Sequence, residues 1–148
     1  MPSQAGATVT IERAKDNSAI AAAFPVMHEL RPHLADSAEF VARVARQMQD
    51  GYRLVVLKEG PYPVACAGYR VQEMLSRGRF LYVDDLVTTA DARSRGYGDK
   101  LMDWLVDEAR ALGCERLHLD SGVQRADAHR FYFRRRLTIS AFHFGIEV

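Results

Sequence analysis

The chain has 148 residues, of which 48% are hydrophobic, 26% charged and 9% aromatic. This composition is typical of one globular domain spanning residues 1–148, and it argues against a disordered or fibrous protein. The 20 lysines and arginines oppose 19 aspartates and glutamates, and the resulting formal charge of +1 argues against nucleic acid or an anionic membrane as a partner.

The N-terminal third of the chain is predicted to contain one strand and two helices. Alternating side chains predict a strand over residues 8–13 (TVTIER), and either Asp16 or Asn17 can cap the helix that follows, which is predicted to run to about His28. Apolar residues at helical spacing then predict a second helix that begins at Ser37 and stops at Gly51. Both helices therefore precede the main sheet.

The central part of the chain changes to the period of strands. Strands are predicted over 52–58 (YRLVVLK), 64–72 and 79–88, with short turns containing glycine between them. Neighbouring strands joined by short turns pair in antiparallel fashion. We therefore expect these three strands to form an antiparallel meander.

The C-terminal third begins with a long amphipathic helix, which Gly113 ends. A strand over 116–120 (RLHLD), a short helix over 125–134 and a closing strand over 137–148 follow. The order is β-α-α-β-β-β-α-β-α-β. It predicts an α/β (mixed α+β) fold whose mixed, mostly antiparallel twisted sheet has about six to seven strands, with helices on both faces.

The two cysteines and the N-terminus bear on the cellular location. Cys66 and Cys114 lie far apart in apolar surroundings, without a CxxC pair or companion ligands at metal spacing, so we expect reduced thiols and no metal. The N-terminus lacks a charged segment followed by an apolar one, and no apolar run approaches the roughly 18 residues of a membrane span. We therefore expect a cytoplasmic protein without a membrane partner.

The stretch ARSRGYGDK (residues 92–100) lies between a predicted strand and the long helix. The first N–H groups of a helix lack partners and carry partial positive charge. Gly96 and Gly98 leave these groups accessible, and Arg93 and Arg95 can bind phosphate oxygens. The spacing matches neither GxxxxGK[ST] nor GxGxxG. The stretch is therefore either a structural turn or the binding site of an anion such as a diphosphate.

An acidic pair interrupts the apolar strand before this loop. Asp84 and Asp85 are adjacent in FLYVDDLVT, and strict alternation points their side chains to opposite faces. A buried carboxylate is costly unless it is paired. Either one acid caps an edge or pairs with an arginine, or the strand presents an acid to a substrate amine or a catalytic water.

These motifs together resemble a known superfamily. The pattern Arg93-x-x-Gly96-x-Gly98, the strand RLHLD and the segment AHRFY (128–132) resemble the GCN5-related N-acetyltransferase (GNAT) superfamily over about residues 52–134. The spacing is most similar to the spermidine/spermine (diamine) N-acetyltransferase branch. The resemblance implies an acyltransferase that moves an acetyl group from acetyl-CoA to a primary amine of a small molecule, by direct attack in a ternary complex.

The resemblance also implies roles for individual residues. Asp84 matches the acid that acts as a base through water, Asp85 matches its neighbour that faces the amine, and Tyr132 matches the tyrosine that protonates the departing thiolate. The residues that match cofactor-binding positions are Leu86, Val87, Thr88, Arg93, Ser94, Arg95, Gly96, Tyr97, Gly98, Asp99, Arg125 and Ala128.

Two departures and several alternatives accompany the resemblance. Arg125 stands where family members commonly carry asparagine, and Arg135-Arg136-Leu137 follows where Gly-Phe is common. Tyr132, between two phenylalanines, could instead serve core packing. The alternative functions are a protein or peptide N-acetyltransferase and a coenzyme A-binding module without turnover. Because the family is often dimeric, we expect a homodimer.

Overall fold

Five strands and five α-helices lie along residues 8–148, the part of the chain that this computed structural model describes; residues 1–7 of the predicted domain lie outside it. The elements are β1 (Val9–Arg13), α1 (Asn17–Ala22), α2 (Phe24–Leu30), α3 (Ser37–Met48), β2 (Arg53–Glu59), β3 (Tyr62–Met74), β4 (Gly78–Thr88), α4 (Tyr97–Ala111), β5 (Arg116–Leu119) and α5 (Ala126–Arg134), with a single 3-10 turn (Ala90–Ala92) before α4.

The strands form one sheet in the order β1-β2-β3-β4-β5, in which the pairs β1-β2, β2-β3 and β3-β4 are antiparallel. The predicted meander and the mixed, mostly antiparallel fold are confirmed. The predicted number of strands was too high, because residues 137–148 form no regular secondary structure. Alternating apolar residues make a strand only where a neighbouring strand pairs with the backbone.

The helical segment before Pro32 differs from the prediction in one respect. The single helix expected over 17–28 is two helices, α1 and α2, which meet at Ala23. Pro25 lies in the first turn of α2, the position where a residue without an N–H group does not interrupt helical hydrogen bonds. Of the two predicted caps, Asp16 and Asn17, the structure has Asp16, whose side chain accepts a hydrogen bond of 2.8 Å from the Ala19 N–H.

Helices cover the central strands on both faces. Apolar side chains of α1, α2 and α3 pack on alternate residues of β2, on Cys66 of β3 and on Val87 of β4. Helix α4 packs against β3 and β4, and the Trp104 and Tyr69 rings meet edge to face with centroids 5.8 Å apart. The main core residues of the first face are Ile20, Val26, Met27, Phe40, Val44, Leu54, Val56 and Cys66.

The chain divides into two compact units, of which the first ends at His118 and the second is Leu119–Val148. The first unit contains the core just described. The second contains α5 and the C-terminal residues, and none of its residues, all of which are described, is buried. Within residues 8–148, no helix has both the length and the apolar character needed to cross a membrane.

Candidate active site

A β-bulge lies at the acidic pair of β4. Gly68 is paired with Asp85 and Tyr69 with Val83, so Asp84 is an additional residue without a partner position on β3. A bulge bends its strand and redirects the side chains around it. The alternation expected for the two acids is therefore wrong: both carboxylates bind side chains on the sheet face that carries α1, α2 and α3.

The carboxylate of Asp85 is held from two sides. The Tyr52 hydroxyl donates to its Oδ2 at 2.9 Å, and Arg31 Nε donates to its Oδ1 at 3.0 Å. Arg31 also donates to the backbone carbonyl of Asp84 at 3.0 Å. Burial, together with the negative charge of Asp85, raises the pKa of Tyr52 well above its usual range. Tyr52 therefore stays protonated and keeps donating to Asp85.

The carboxylate of Asp84 is held by Arg70. Arg70 Nε lies 3.1 Å from both carboxylate oxygens, and its Nη2 lies 2.6 Å from Oδ2. The same guanidinium donates to Gln47 on α3 at 2.9 Å and lies over the Tyr52 ring, 5.4 Å from its centroid. Burial raises the pKa of Asp84, and Arg70 opposes that shift. Asp84 is thus a half-buried acid that accepts a proton more readily than an ordinary aspartate.

Gly68 makes room for this arrangement. A Cβ atom at Gly68 would lie 1.8 Å from the Tyr52 hydroxyl oxygen and 2.6 Å from Asp85 Oδ2. Real Cβ atoms do not approach other heavy atoms so closely. The hydrogen bond between Tyr52 and Asp85 therefore depends on glycine at this position of β3.

The glycine stretch forms the start of α4. Gly96 is the N-cap with φ of +78°, and Ser94 also has a positive φ, of +68°. The Lys100 N–H bonds to the Gly96 carbonyl at 3.1 Å, so the N–H groups of residues 97–99 precede the first intrahelical bond of α4. A Cβ at Gly96 would meet no heavy atom within 4 Å. The structure thus leaves open space at the N-cap of α4, which suits the approach of an anion.

Two side chains of this stretch point at a buried acid. Glu59, at the end of β2, is 5% exposed, and its Oε1 accepts hydrogen bonds from Arg95 Nη1 and from the Tyr97 hydroxyl, the latter at 2.8 Å. Arg95 Nη2 also donates to the Asp91 carbonyl at 2.9 Å. Arg95 therefore connects the loop to β2 through its hydrogen bond with Glu59. Arg93, in contrast, is exposed and has an extended backbone conformation.

The remaining predicted cofactor contacts of the first unit lie between the bulge and the loop. Leu86, Val87 and Thr88 continue β4 and pair with Ala67, Cys66 and Ala65 of β3. The acidic pair, these strand residues and the loop therefore follow one another along a single strand-to-helix segment, from Asp84 to Asp99.

The second unit holds the other predicted site residues. Arg125 is the N-cap of α5, and Ala128 and Tyr132 lie on that helix. Tyr132 is half-buried, and its ring meets that of Phe131 edge to face with centroids 5.6 Å apart. Burial raises the pKa of the Tyr132 phenol, against the smaller influence of Arg125. The phenol therefore carries its proton at neutral pH, as a proton donor must.

Sequence reasoning missed the partners of the acidic pair and of the loop. Arg31, Tyr52, Arg70 and Glu59 are distant from these motifs along the chain and carry no spacing signal. Gly68 was visible as a lone glycine inside an apolar strand, which indicates a bulge or a close approach of another group. The structure shows both of these at that position.

The chain is similar in sequence to two curated acetyltransferases. The chain is 41% identical over 113 residues to the uncharacterized N-acetyltransferase YhdJ of Bacillus subtilis (strain 168), a match covering 76% of this chain and 79% of the relative. It is 37% identical over 62 residues to the aminoalkylphosphonate N-acetyltransferase of Salmonella typhimurium, covering 42% of this chain and 40% of that protein.

A solved structure supports the fold at larger evolutionary distance. The aminoglycoside N-acetyltransferase AAC(6')-Iy, in complex with CoA, superposes with a TM-score of 0.84 at 10% identity, covering 97% of this chain and 96% of that chain. The acetyltransferase (GNAT) family profile matches residues 19–137, which include the acidic pair, the glycine loop and Tyr132. The chain therefore belongs to the GNAT family of acetyltransferases.

Proposed function

We propose that this acetyltransferase moves the acetyl group of acetyl-CoA to the primary amine of a small molecule, by direct attack within a ternary complex. The observation that carries the proposal is the segment from Asp84 to Asp99. It begins with an acid at a β-bulge, continues along β4, and ends at the N-terminus of α4, whose N-cap is Gly96. Both units are proposed to be parts of one domain, since the family match runs across their boundary.

The loop residues are suited to hold the pyrophosphate of acetyl-CoA. The N–H groups at the start of α4 precede the first intrahelical bond, the space beside the N-cap Gly96 is open, and the exposed Arg93 can add charge-assisted hydrogen bonds. The backbone of Leu86, Val87 and Thr88 is proposed to pair with the pantetheine arm. Ser94, Tyr97, Gly98 and Asp99 are proposed to complete the loop, and Arg125 and Ala128 to add contacts from α5.

The acids are proposed to prepare the amine. An alkylammonium with a pKa near 10 must lose a proton before it can attack a thioester carbonyl, and Asp84 accepts that proton through a water molecule. Asp85 faces the amine while Tyr52 and Arg31 hold its carboxylate in place. As the C–N bond forms and the C–S bond breaks, Tyr132 donates its phenolic proton to the sulfur.

The charges around the acids favour an acceptor that carries an anionic group as well as an amine. The Arg31 side chain is 40% exposed, whereas the Asp85 side chain that it binds is 14% exposed, so the guanidinium is the more accessible charge of this pair. An amine fits the carboxylate, and a phosphonate or carboxylate on the same molecule fits the guanidinium. The Salmonella relative is named for aminoalkylphosphonates, which have this combination of groups.

A panel of acceptors tests the proposal. The purified chain, acetyl-CoA and one amine at a time are assayed by thiol release, with aminoalkylphosphonates, amino acids, polyamines, aminoglycosides and peptides as acceptors. We expect turnover of a small amine and the highest kcat/KM for an acceptor with an anionic group. Preference for peptides would favour a protein acetyltransferase, and acetyl-CoA binding without thiol release from any acceptor would favour a binding module.

Asp84→Asn tests the role of Asp84 as a base. The raised pKa of Asp84 means that wild-type activity is lost as the pH falls through that value, because the protonated acid accepts no proton. In the variant the amine must lose its proton without help, so the rate at neutral pH should fall by about a hundredfold and the profile of kcat/KM should move to higher pH. Asp107→Asn, which changes an exposed acid on α4, is the control and should leave the pH profile unchanged. If the pH profile of kcat/KM for Asp84→Asn also stays where it is in the wild type, Asp84 is not the base.

Glu59→Gln tests whether the buried acid holds the pyrophosphate loop. The change removes the countercharge of Arg95 and weakens the bond from Tyr97, so the KM for acetyl-CoA should rise by about tenfold, as the loss of one charge-assisted hydrogen bond predicts. The value of kcat at saturation should change little. Glu12→Gln, which breaks the exposed pair with Lys58 on the neighbouring strand, is the matched control and should leave KM unchanged.

A further inference from the structure

A cavity of about 370 Å³ opens where β1 ends and β2 begins, and it is here called the basic cavity. Three cationic residues line it: Arg13 at the end of β1, Lys15 just beyond that strand, and Arg53 at the start of β2. No acid of the described residues 8–148 lines it. Since the whole chain has a formal charge of only +1, the basic cavity is a local excess of positive charge.

A buried acid behind the basic cavity neutralises part of this charge. Glu108 on α4 is 9% exposed and forms an ion pair with Arg13, while Arg53 Nη1 lies 3.9 Å from its Oε2. The Tyr69 hydroxyl also donates to Glu108 Oε2, at 2.5 Å. Lys15 is exposed and forms no ion pair within residues 8–148. Three cations and one carboxylate therefore leave an excess of two positive charges at the basic cavity.

The rest of the lining of the basic cavity is mostly apolar. Ala14 and Leu54 are buried, and Met48 at the end of α3 borders the same space. Sites for small molecules typically have volumes of roughly 300–1,000 Å³, with an apolar lining and a few polar groups that orient the ligand. A water molecule occupies only about 30 Å³ of liquid. The basic cavity therefore has room for an organic group as well as for an anion.

We propose that the basic cavity binds a small phosphate monoester whose organic part is apolar. A phosphate monoester carries a charge of about −1.5 to −2 at pH 7, which balances the two excess positive charges, whereas a carboxylate would balance only one. The guanidinium group of Arg53 can donate two parallel hydrogen bonds to phosphate oxygens, and Lys15 adds a mobile point charge. The inference rests on the basic cavity and is independent of the proposed acetyl transfer.

The position of the basic cavity separates it from the glycine loop at the start of α4. Strand β2 has seven residues, with Arg53 at its first position and Glu59, the partner of Arg95 in the loop, at its last. At roughly 3.3 Å per residue, the two ends of β2 are about 20 Å apart. A phosphate in the basic cavity is therefore distinct from the pyrophosphate of a coenzyme A held at the loop.

Calorimetric titration of the full chain with phenyl phosphate tests the proposal. The double variant Lys15→Gln/Arg53→Gln should bind phenyl phosphate at least about tenfold more weakly than the wild type, because it loses two charge-assisted contacts. Arg110→Gln/Arg116→Gln removes the same charge from exposed residues of α4 and β5, so it is the matched control and should keep the wild-type Kd. Lys15→Gln alone should weaken binding about threefold and provides a test if the double variant fails to fold.

Two further probes separate the contributions of the anion and of the organic group. Inorganic phosphate lacks the apolar part, and benzoate keeps a ring but carries a single negative charge. Both should bind the wild-type chain more weakly than phenyl phosphate, by about fivefold or more. The affinity for phenyl phosphate should also rise as the pH increases through about 6, where a phosphate monoester loses its second proton.

Competition and kinetics show whether the basic cavity is a site of its own. Saturating coenzyme A should leave the Kd for phenyl phosphate unchanged, and displacement by coenzyme A would place the phosphate at the glycine loop instead. The double variant should keep the wild-type KM for the amine acceptor, and a raised KM would assign the basic cavity to the acceptor. Equal affinity of wild type and double variant, or no binding at millimolar phenyl phosphate, would overturn the proposal.

Discussion

Replacing Tyr132 by phenylalanine is expected to lower kcat by about a hundredfold or more, the usual contribution of a positioned general acid. The change removes only the phenolic oxygen, so the half-buried ring keeps its packing against Phe131. Without a proton donor, the thiolate of coenzyme A leaves as a charged group, and the barrier to cleavage of the C–S bond rises. Steady-state kinetics with acetyl-CoA and the best acceptor measure the effect.

Separate effects on kcat and on KM distinguish a general acid at Tyr132 from a tyrosine that only packs. The KM for acetyl-CoA should change little, because the phenol is proposed to act on the departing sulfur. If Tyr132 only packs the helix, kcat would stay at the wild-type value or fall together with thermal stability. Tyr62→Phe, which removes the hydroxyl of a tyrosine at the start of β3, is the matched control and should leave kcat unchanged.

The second large effect is expected at Gly68. Gly68→Ala places a methyl group against the Tyr52 hydroxyl and the Asp85 carboxylate, at distances that no rotation of the methyl relieves. Overpacking of this kind costs up to about 3 kcal/mol, which corresponds to a fall of roughly 10 °C in the Tm of a domain of this size. Activity should fall as well, because Asp85 loses its fixed position.

A double-mutant cycle tests whether the loss of stability in Gly68→Ala comes from the clash with the Tyr52 side chain. In a Tyr52→Val background the bulk that opposes the methyl group is gone, so Gly68→Ala should lower the Tm much less than it does in the wild-type chain. Gly145→Ala is the matched control, since a Cβ there meets no heavy atom within 4 Å. Equal losses of Tm in both backgrounds would show that the clash with Tyr52 is not the cause.

The order of the elements could be predicted because it depends on local periodicity. The long apolar stripe of α4 and the alternation in β2, β3 and β4 identify each element within a few residues of its observed bounds. The break between α1 and α2 was missed because the apolar pattern continues through Pro25. The Pro25 ring fits the first turn of a new helix as well as the end of one, so proline alone did not show that a second helix begins there.

The arrangement of the candidate site could be predicted only in part. The motif Arg93-x-x-Gly96-x-Gly98 indicates an anion site because the N-terminus of a helix directly after a glycine loop is a local feature. The partner of Arg95 could not be predicted, since Glu59 belongs to a strand far away in sequence and reaches the loop only in the folded chain. The ion pair between Arg70 and the carboxylate of Asp84 could not be predicted either, since it depends on the pairing of β3 with β4.

The sequence by itself determined the family, the order of the elements apart from the closing strand and the division between α1 and α2, and the position of the glycine loop at the start of α4. All of these follow from short-range patterns. Only the tertiary structure decided how the acids are held. The bulge at Asp84 arises from the pairing of β4 with β3 and brings both carboxylates to one face, where Tyr52 and two arginines bind them. Pairing between strands is a long-range contact, and no local pattern specifies its irregularities.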